Sequence, residues 1–211
     1  MLSAFVNYPK SCIFGKKDEA MQTSTSVTVA EYFDLLQKSD IKLEYHSGEV
    51  VAMAGAQPAH NRICVTLSAA LENCLRSGEC LVLTSHQLIK IEGCQKYVFP
   101  DLVIVCKNPV YEKAPNGLGA LENPEINVEV LSDSTESYDR LEKFDCYKTS
   151  PSFREYVLVS SKKKKVEVIK KLSEAEWLSH TYSENDTAIQ IGDCVIDLSE
   201  IYHKVVFAEI I

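Results

Sequence analysis

The sequence predicts an α/β (α+β) fold, a mixed sheet flanked by helices, and three observations carry that prediction. Ile63, Leu67, Ala70, Leu71, Cys74 and Leu75 recur at helical spacing along one face. Leu102 to Cys106 and Ile126 to Leu131 are near-continuous apolar runs of strand length, as expected of strands covered on both faces. Short apolar runs joined by turn residues add hairpins before and after them.

The elements follow in order. Met1 to about Ser26 shows no clear period and reads as an N-terminal extension (1–26). Thr28-Val29-Ala30-Glu31 forms a capping box, and Val29, Phe33 and Leu36 continue a short helix to about Lys38. Ile41 to His46 and Glu49 to Met53 flank Ser47-Gly48 as a hairpin. Pro58 suits the first turn of the long helix, and Gly78 stands where a C-terminal cap would.

Strands then dominate: Cys80 to Thr84, Gln87 to Glu92, Tyr97 to Phe99 and Leu102 to Cys106. Asn108 to Asn123 holds Pro109, Pro115, Gly117 and Gly119 and reads as a loop. After Ile126 to Leu131, a helix is expected over Glu136 to Thr149, with Leu141, Phe144 and Tyr147 or Lys148 along one side. Arg154 to Val159 and Val166 to Lys170 form another hairpin. Trp177 to Tyr182 and Ile189 to Ile196 are the final strands, before a turn near Leu198 to Tyr202. One domain over 27–205 and a tail over 206–211 account for the rest.

Composition narrows the function classes. The 211 residues suit one domain with a sizeable core. No apolar run reaches the ~20 residues that span a bilayer. MLSAFVNYPK lacks the pattern of a secretory signal, so a cytoplasmic location is expected. The eight cysteines include no CxxC pair and no zinc spacing, and read as reduced, buried thiols. A net charge of -8 counts against non-specific coating of nucleic acid, but suits an enzyme whose acids hold cations. No GxSxG elbow, GxxxxGK[ST] loop, HExxH or GxGxxG is present.

One constellation carries chemistry. Alternation along Ile126 to Leu131 puts Ile126, Val128 and Val130 on one face and Asn127, Glu129 and Leu131 on the other. A carboxylate in so apolar a run is costly to bury unless paired or bound to metal. Asp101 opens the neighbouring apolar run. Two acids and the Val130 backbone carbonyl could meet at one hard cation such as magnesium, with manganese as a substitute. Asp139 and Lys143, four apart, share a helix face, from which the ammonium could reach back over the strand end.

Pro100-Asp101, Glu129-Val130-Leu131-Ser132, Asp139 and Lys143 together resemble the PD-(D/E)xK nuclease superfamily. The superfamily lysine commonly lies two residues after the second acid, where this chain has Leu131. The departure matches a variant whose lysine has migrated to the following helix. The chain is most similar to the restriction-endonuclease family of the Uma-two type. Leu43-Glu44-Tyr45, Gly48-Glu49-Val50-Val51, Met53-Ala54-Gly55, His60, Ser132, Ser134-Thr135, Tyr147 and Arg154 to Val159 extend that likeness. It implies a restriction-endonuclease-like fold and a magnesium-dependent endonuclease acting on DNA. Asp101 and Glu129 would be metal ligands, Lys143 the catalytic lysine and Glu44 an assisting acid. His60 and Asp139 would be accessory, and a homodimer would suit cleavage of both strands.

Other readings stay open. Asp101 is also what a solvated strand end looks like. Lys143 could simply pair with Asp139 on the surface. Tyr147 reads as core packing, and Lys162 to Lys165 as a solvated turn or a phosphate contact. The alternatives for the whole chain are a non-catalytic interaction protein that keeps the fold, and a phosphodiesterase acting on RNA or a small phosphoester.

Overall fold

The computed structural model describes residues 26–53, 55–113, 117–133 and 135–207. The expected extension over residues 1–25, Ala54, Pro115, Ser134 and the end of the tail lie outside the described residues.

Thr28 and Glu31 form the capping box that starts α1 (Val29–Lys38). Strands β1 (Leu43–His46) and β2 (Glu49–Ala52) pair around Ser47 and Gly48. Both turn residues have positive φ, 50° and 103°, the geometry of a two-residue hairpin, and glycine bears the second without strain. Helix α2 (Pro58–Leu75) opens on Pro58, and the Gly78 N–H closes onto the Leu75 carbonyl at 2.9 Å.

Next come β3 (Cys80–Thr84), β4 (Ile89–Ile91), β5 (Lys96–Val98) and β6 (Leu102–Cys106). The segment read as a loop contains a small hairpin, β7 (Tyr111–Lys113) and β8 (Gly119–Leu121). Its runs are three residues long, too short to show a period among the prolines and glycines. Then follow β9 (Ile126–Leu131), α3 (Glu136–Tyr138), a π-helical turn (Asp139–Lys143) and α4 (Phe144–Tyr147). β10 (Glu155–Ser160), β11 (Lys165–Lys171) and β12 (Trp177–Ser183) form a meander. The single strand expected over Ile189 to Ile196 is a hairpin, β13 (Ala188–Ile191) and β14 (Cys194–Asp197), turned at Gly192 with φ 54°. α5 (Leu198–Ile201) ends the fold.

The strands build two mixed sheets, ordered β2-β1-β5-β4-β8-β7 and β12-β11-β10-β9-β6-β3, beside the β13-β14 hairpin. β9 lies central in the second sheet, parallel to β10 and antiparallel to β6. The predicted alternation holds. Ile126, Val128 and Val130 pack under α2 with Ile63, Leu67 and Leu71. Leu131 faces the other layer, among Ile89, Val98, Tyr147, Phe153 and Tyr156. A third cluster seats Tyr32 and Phe33 of α1 on Tyr45, Tyr97 and Phe99.

The cysteines depart from expectation. Cys74–Cys194, Cys80–Cys106 and Cys94–Cys146 are disulfides, and Cys64 is free. Cys80 and Cys106 are direct register partners on β3 and β6. Linear spacing could not reveal these pairs, because the partners lie 26 to 120 residues apart and meet only through sheet and helix packing.

Candidate active site

Glu129 is 4% exposed, because its face of β9 lies between the two layers. Its Oε1 accepts the Tyr147 hydroxyl at 2.9 Å and meets Lys143 Nζ at 2.8 Å. Lys143 is equally buried and also lies 3.6 Å from Asp139 Oδ1. The π turn accounts for this. It turns Asp139 and Lys143 inward and leaves Leu141 65% exposed, against the apolar stripe expected from sequence. Such turns recur at functional sites. Here the inward surface is a carboxylate, so a charged pair fits where leucine would not. Tyr156 closes the floor, its hydroxyl donating to the Asp139 carbonyl at 3.0 Å.

Asp101 stands just before β6. The register of β6 on β9 begins at Leu102 opposite Val128, so Val130 lies past the ladder. The Asp101 Oδ2 takes the place of the missing strand, accepting the Val130 N–H at 2.7 Å. A residue in a strand directs its N–H and C=O to the same side, so the Val130 carbonyl faces the Asp101 side too. His60 Nε2 of α2 holds the same Asp101 oxygen at 3.1 Å.

Glu44 on β1 completes the cluster. Its Oε1 accepts the Phe99 N–H at 2.8 Å, and its Oε2 meets His46 Nε2 at 3.0 Å. The His46 ring stacks on Tyr138 with centroids 5.4 Å apart. Asp101, Glu129, Lys143, Glu44, Asp139 and His60, singled out in the sequence, thus come together from the residue before β6, from β9, the π turn, β1 and α2.

The sequence profile of the Uma2 family, described as "Putative restriction endonuclease", matches residues 29–199. The chain belongs to the Uma2 family. Two uncharacterized proteins of Synechocystis sp. are similar to it. Sll1609 is 30% identical over 156 residues, covering 74% of this chain and 87% of the relative. Slr1290 is 35% identical over 156 residues, covering 74% and 80%. A crystal structure described as "a putative nuclease belonging to DUF820 from Anabaena variabilis" shares the fold, with TM-score 0.62 and 13% identity, covering 80% of this chain and 96% of that one. The nuclease-like mixed-sheet architecture of the Uma2 chain is therefore established by its own topology and by that neighbour.

Electrostatics test whether the site suits a cation. Burial raises the Glu129 carboxyl well above the usual carboxylate range, despite Lys143, with Asp139 and Asp101 adding repulsion. Burial also raises Asp139, again against Lys143. Burial would lower Lys143, but Glu129, Glu44 and Asp139 outweigh it and hold the ammonium charged. Burial disfavours the Glu44 carboxylate as well, yet Lys143, His46 and the Phe99 N–H overcome it and its pKa is lowered. The cluster is short of positive charge, and its acidic donors are oxygens. A hard divalent cation fits both conditions.

Several neighbours escaped the sequence reading. Tyr147, expected to be packing, is packing and also a donor to Glu129. His46 lies two residues after Glu44, hence on the same strand face, a signal that was available. Lys96 gave none. It is buried opposite His46 in the β1–β5 register, bonded to Glu142 Oε1 at 2.5 Å and Tyr138 Oη at 3.3 Å. Lys42 donates to the Ser85 carbonyl at 2.6 Å and lines a cleft of about 480 Å³ with His86, Gln87, Leu88 and Phe99. Of the lysine run, Lys163 and Lys164 are exposed at the β10–β11 turn, and Lys162 pairs with Asp133.

Proposed function

We propose that this protein is a magnesium-dependent endonuclease that hydrolyses DNA phosphodiester bonds with water as nucleophile. One observation carries the reading: Lys143 Nζ, fully buried, lies 2.8 Å from Glu129 on the strand whose next residue, Val130, is held by Asp101. An ion pair of structural purpose alone would be an expensive thing to bury among further carboxylates. An acid cluster awaiting a cation and a phosphate gives it a use.

Asp101, Glu129 and the Val130 carbonyl would hold the ion. Bound there, magnesium would supply Lewis-acid polarisation of a phosphate oxygen. Lys143, kept protonated by its three acids, donates hydrogen bonds. Its work is to orient the attacking water and offset phosphate charge, and not to remove a proton. Glu44 keeps Lys143 charged and fixes His46. Asp139 and His60 position Lys143 and Asp101. Lys42 feels the charges of Asp101 and Glu44, and its cleft includes Phe99, whose N–H bonds Glu44, so the substrate backbone would run along it. A homodimer would present two such sites to a duplex.

The test is incubation of supercoiled plasmid with wild type, Asp101→Ala and Lys143→Ala, with and without magnesium. Magnesium-dependent nicking by wild type alone is expected. Equal nicking by all three would assign the activity to a contaminant. A parallel panel of RNA and small phosphodiesters should remain uncut.

A further inference from the structure

We infer that His60, Cys64 and Asp101 form a second metal site, one that takes a thiophilic divalent cation of the zinc class. His60 and Cys64 are four apart on α2, so they share a helix face. Cys64 Sγ lies 3.6 Å from His60 Nδ1, and the other ring nitrogen, Nε2, lies 3.1 Å from Asp101 Oδ2, so one ion would take only one of these two nitrogens. One ligand atom from each of the three falls within 4.8 Å of the others. Zinc bonds of about 2.0–2.3 Å separate tetrahedral ligand atoms by roughly 3.3–3.8 Å, so the three side chains would draw together by up to about 1.5 Å around an ion held through one His60 nitrogen. Three protein ligands with a fourth position open to water is a familiar zinc arrangement.

The donor chemistry separates this site from its neighbour. A thiolate and an imidazole select zinc over magnesium, whereas Glu129 and the Val130 carbonyl offer only oxygen. The other described cysteines are in disulfides, which leaves Cys64 as the available thiol among the described residues. Asp101 belongs to both sets. Zinc therefore withdraws a ligand from magnesium and inhibits. The zinc site rests on donor geometry alone, and the inhibition rests also on the magnesium reading.

The test uses the full chain with its disulfides intact and cobalt(II) as the probe for zinc. Thiolate-to-cobalt charge-transfer absorption should saturate at one equivalent. Cys64→Ser should abolish it, and His60→Gln should weaken binding by at least about 10-fold, both with unchanged near-ultraviolet circular dichroism. Glu129→Gln should keep the cobalt band while losing manganese(II) binding measured by electron paramagnetic resonance. Absence of the band at saturating cobalt, or its survival in Cys64→Ser, overturns the zinc site. Manganese binding that survives in Glu129→Gln overturns the magnesium reading and leaves the zinc site standing. Zinc should suppress plasmid nicking in wild type, and the ratio of activities with and without zinc should return towards one in Cys64→Ser. Equal suppression in both overturns the inhibition.

Discussion

The Asp101 carboxylate and the Val130 amide bond each other at 2.7 Å across 29 residues, where the β6–β9 ladder has already stopped. Oδ2 of Asp101 thus has a structural task, shared with His60, and on the magnesium reading the charge of the carboxylate serves the ion. Asparagine can do the first and not the second, since its carbonyl still accepts the Val130 N–H but carries no charge. Asp101→Asn should cost no more than about 1 kcal/mol in urea denaturation, while nicking falls by at least about 100-fold. Asp101→Ala should lose the same activity and also about 1–3 kcal/mol, because a buried N–H is left unpaired. Full activity in Asp101→Asn would remove this residue from the chemistry.

Lys143 is the counter-ion of a cluster with more negative than positive charge. Lys143→Met leaves Glu129, Asp139 and Glu44 uncompensated, a change that costs about 3–5 kcal/mol when a buried pair is broken. The loss should shrink in acid. Glu129 and Asp139 have raised folded pKa values. Between the unfolded value, about 4, and the raised one, the native state binds more protons than the unfolded state, so lowering the pH stabilises. Denaturation of both proteins in chelator at pH 7 and pH 5.5 measures this. A penalty that is the same at both pH values would contradict the charge argument.

Asp101 and Glu129 were legible as candidates because acids beside or within apolar strands are conspicuous and strand alternation fixed which way Glu129 points, whereas Glu44 and His60 stood out only through the family resemblance. The inward turn of Lys143 was legible only in part. Its i,i+4 relation to Asp139 was visible, but the π turn that exposes Leu141 was not, since helical periodicity favours the leucine. The β7–β8 hairpin was hidden by its short strands. The disulfides were hidden for a different reason: Cys74 and Cys194 meet only because α2 packs on the β13–β14 hairpin, a tertiary event without local trace. Cys64 looked like a small hydrophobe beside Ile63, and its i,i+4 spacing from His60 was the one trace of their approach.

Glu44 supplies the acid-side pH dependence. Its folded pKa is lowered, so below the unfolded carboxylate value of about 4.3 the unfolded state binds the proton first. Stability from Glu44 is then complete above that value and is lost as pH falls through the lowered one. Glu44→Gln keeps an acceptor for the Phe99 N–H but removes the charge facing Lys143 and His46. Wild type should exceed the variant by about 1.5–3 kcal/mol at neutral pH. The gap should narrow only below about pH 4.3. A gap that closes between pH 7 and 5 instead would contradict the lowered Glu44 pKa.

Two of the disulfides should separate stability from activity. Cys74–Cys194 closes a separation of 120 residues, and Cys94–Cys146 one of 52. On chain entropy each contributes roughly 2–4 kcal/mol, with the longer loop ahead by about 0.7 kcal/mol. Their positions reverse the order for function. Cys146 lies in α4, directly after the π turn that aims Lys143, and Cys94 anchors it to the turn before Lys96. Replacing Cys94 and Cys146 by serine should therefore lower kcat more than replacing Cys74 and Cys194, although the second pair should lower Tm more. Melting curves and plasmid nicking on the two double variants decide it. If activity instead followed Tm across both, the Cys94–Cys146 bond would have no part in holding Lys143 beyond keeping the chain folded.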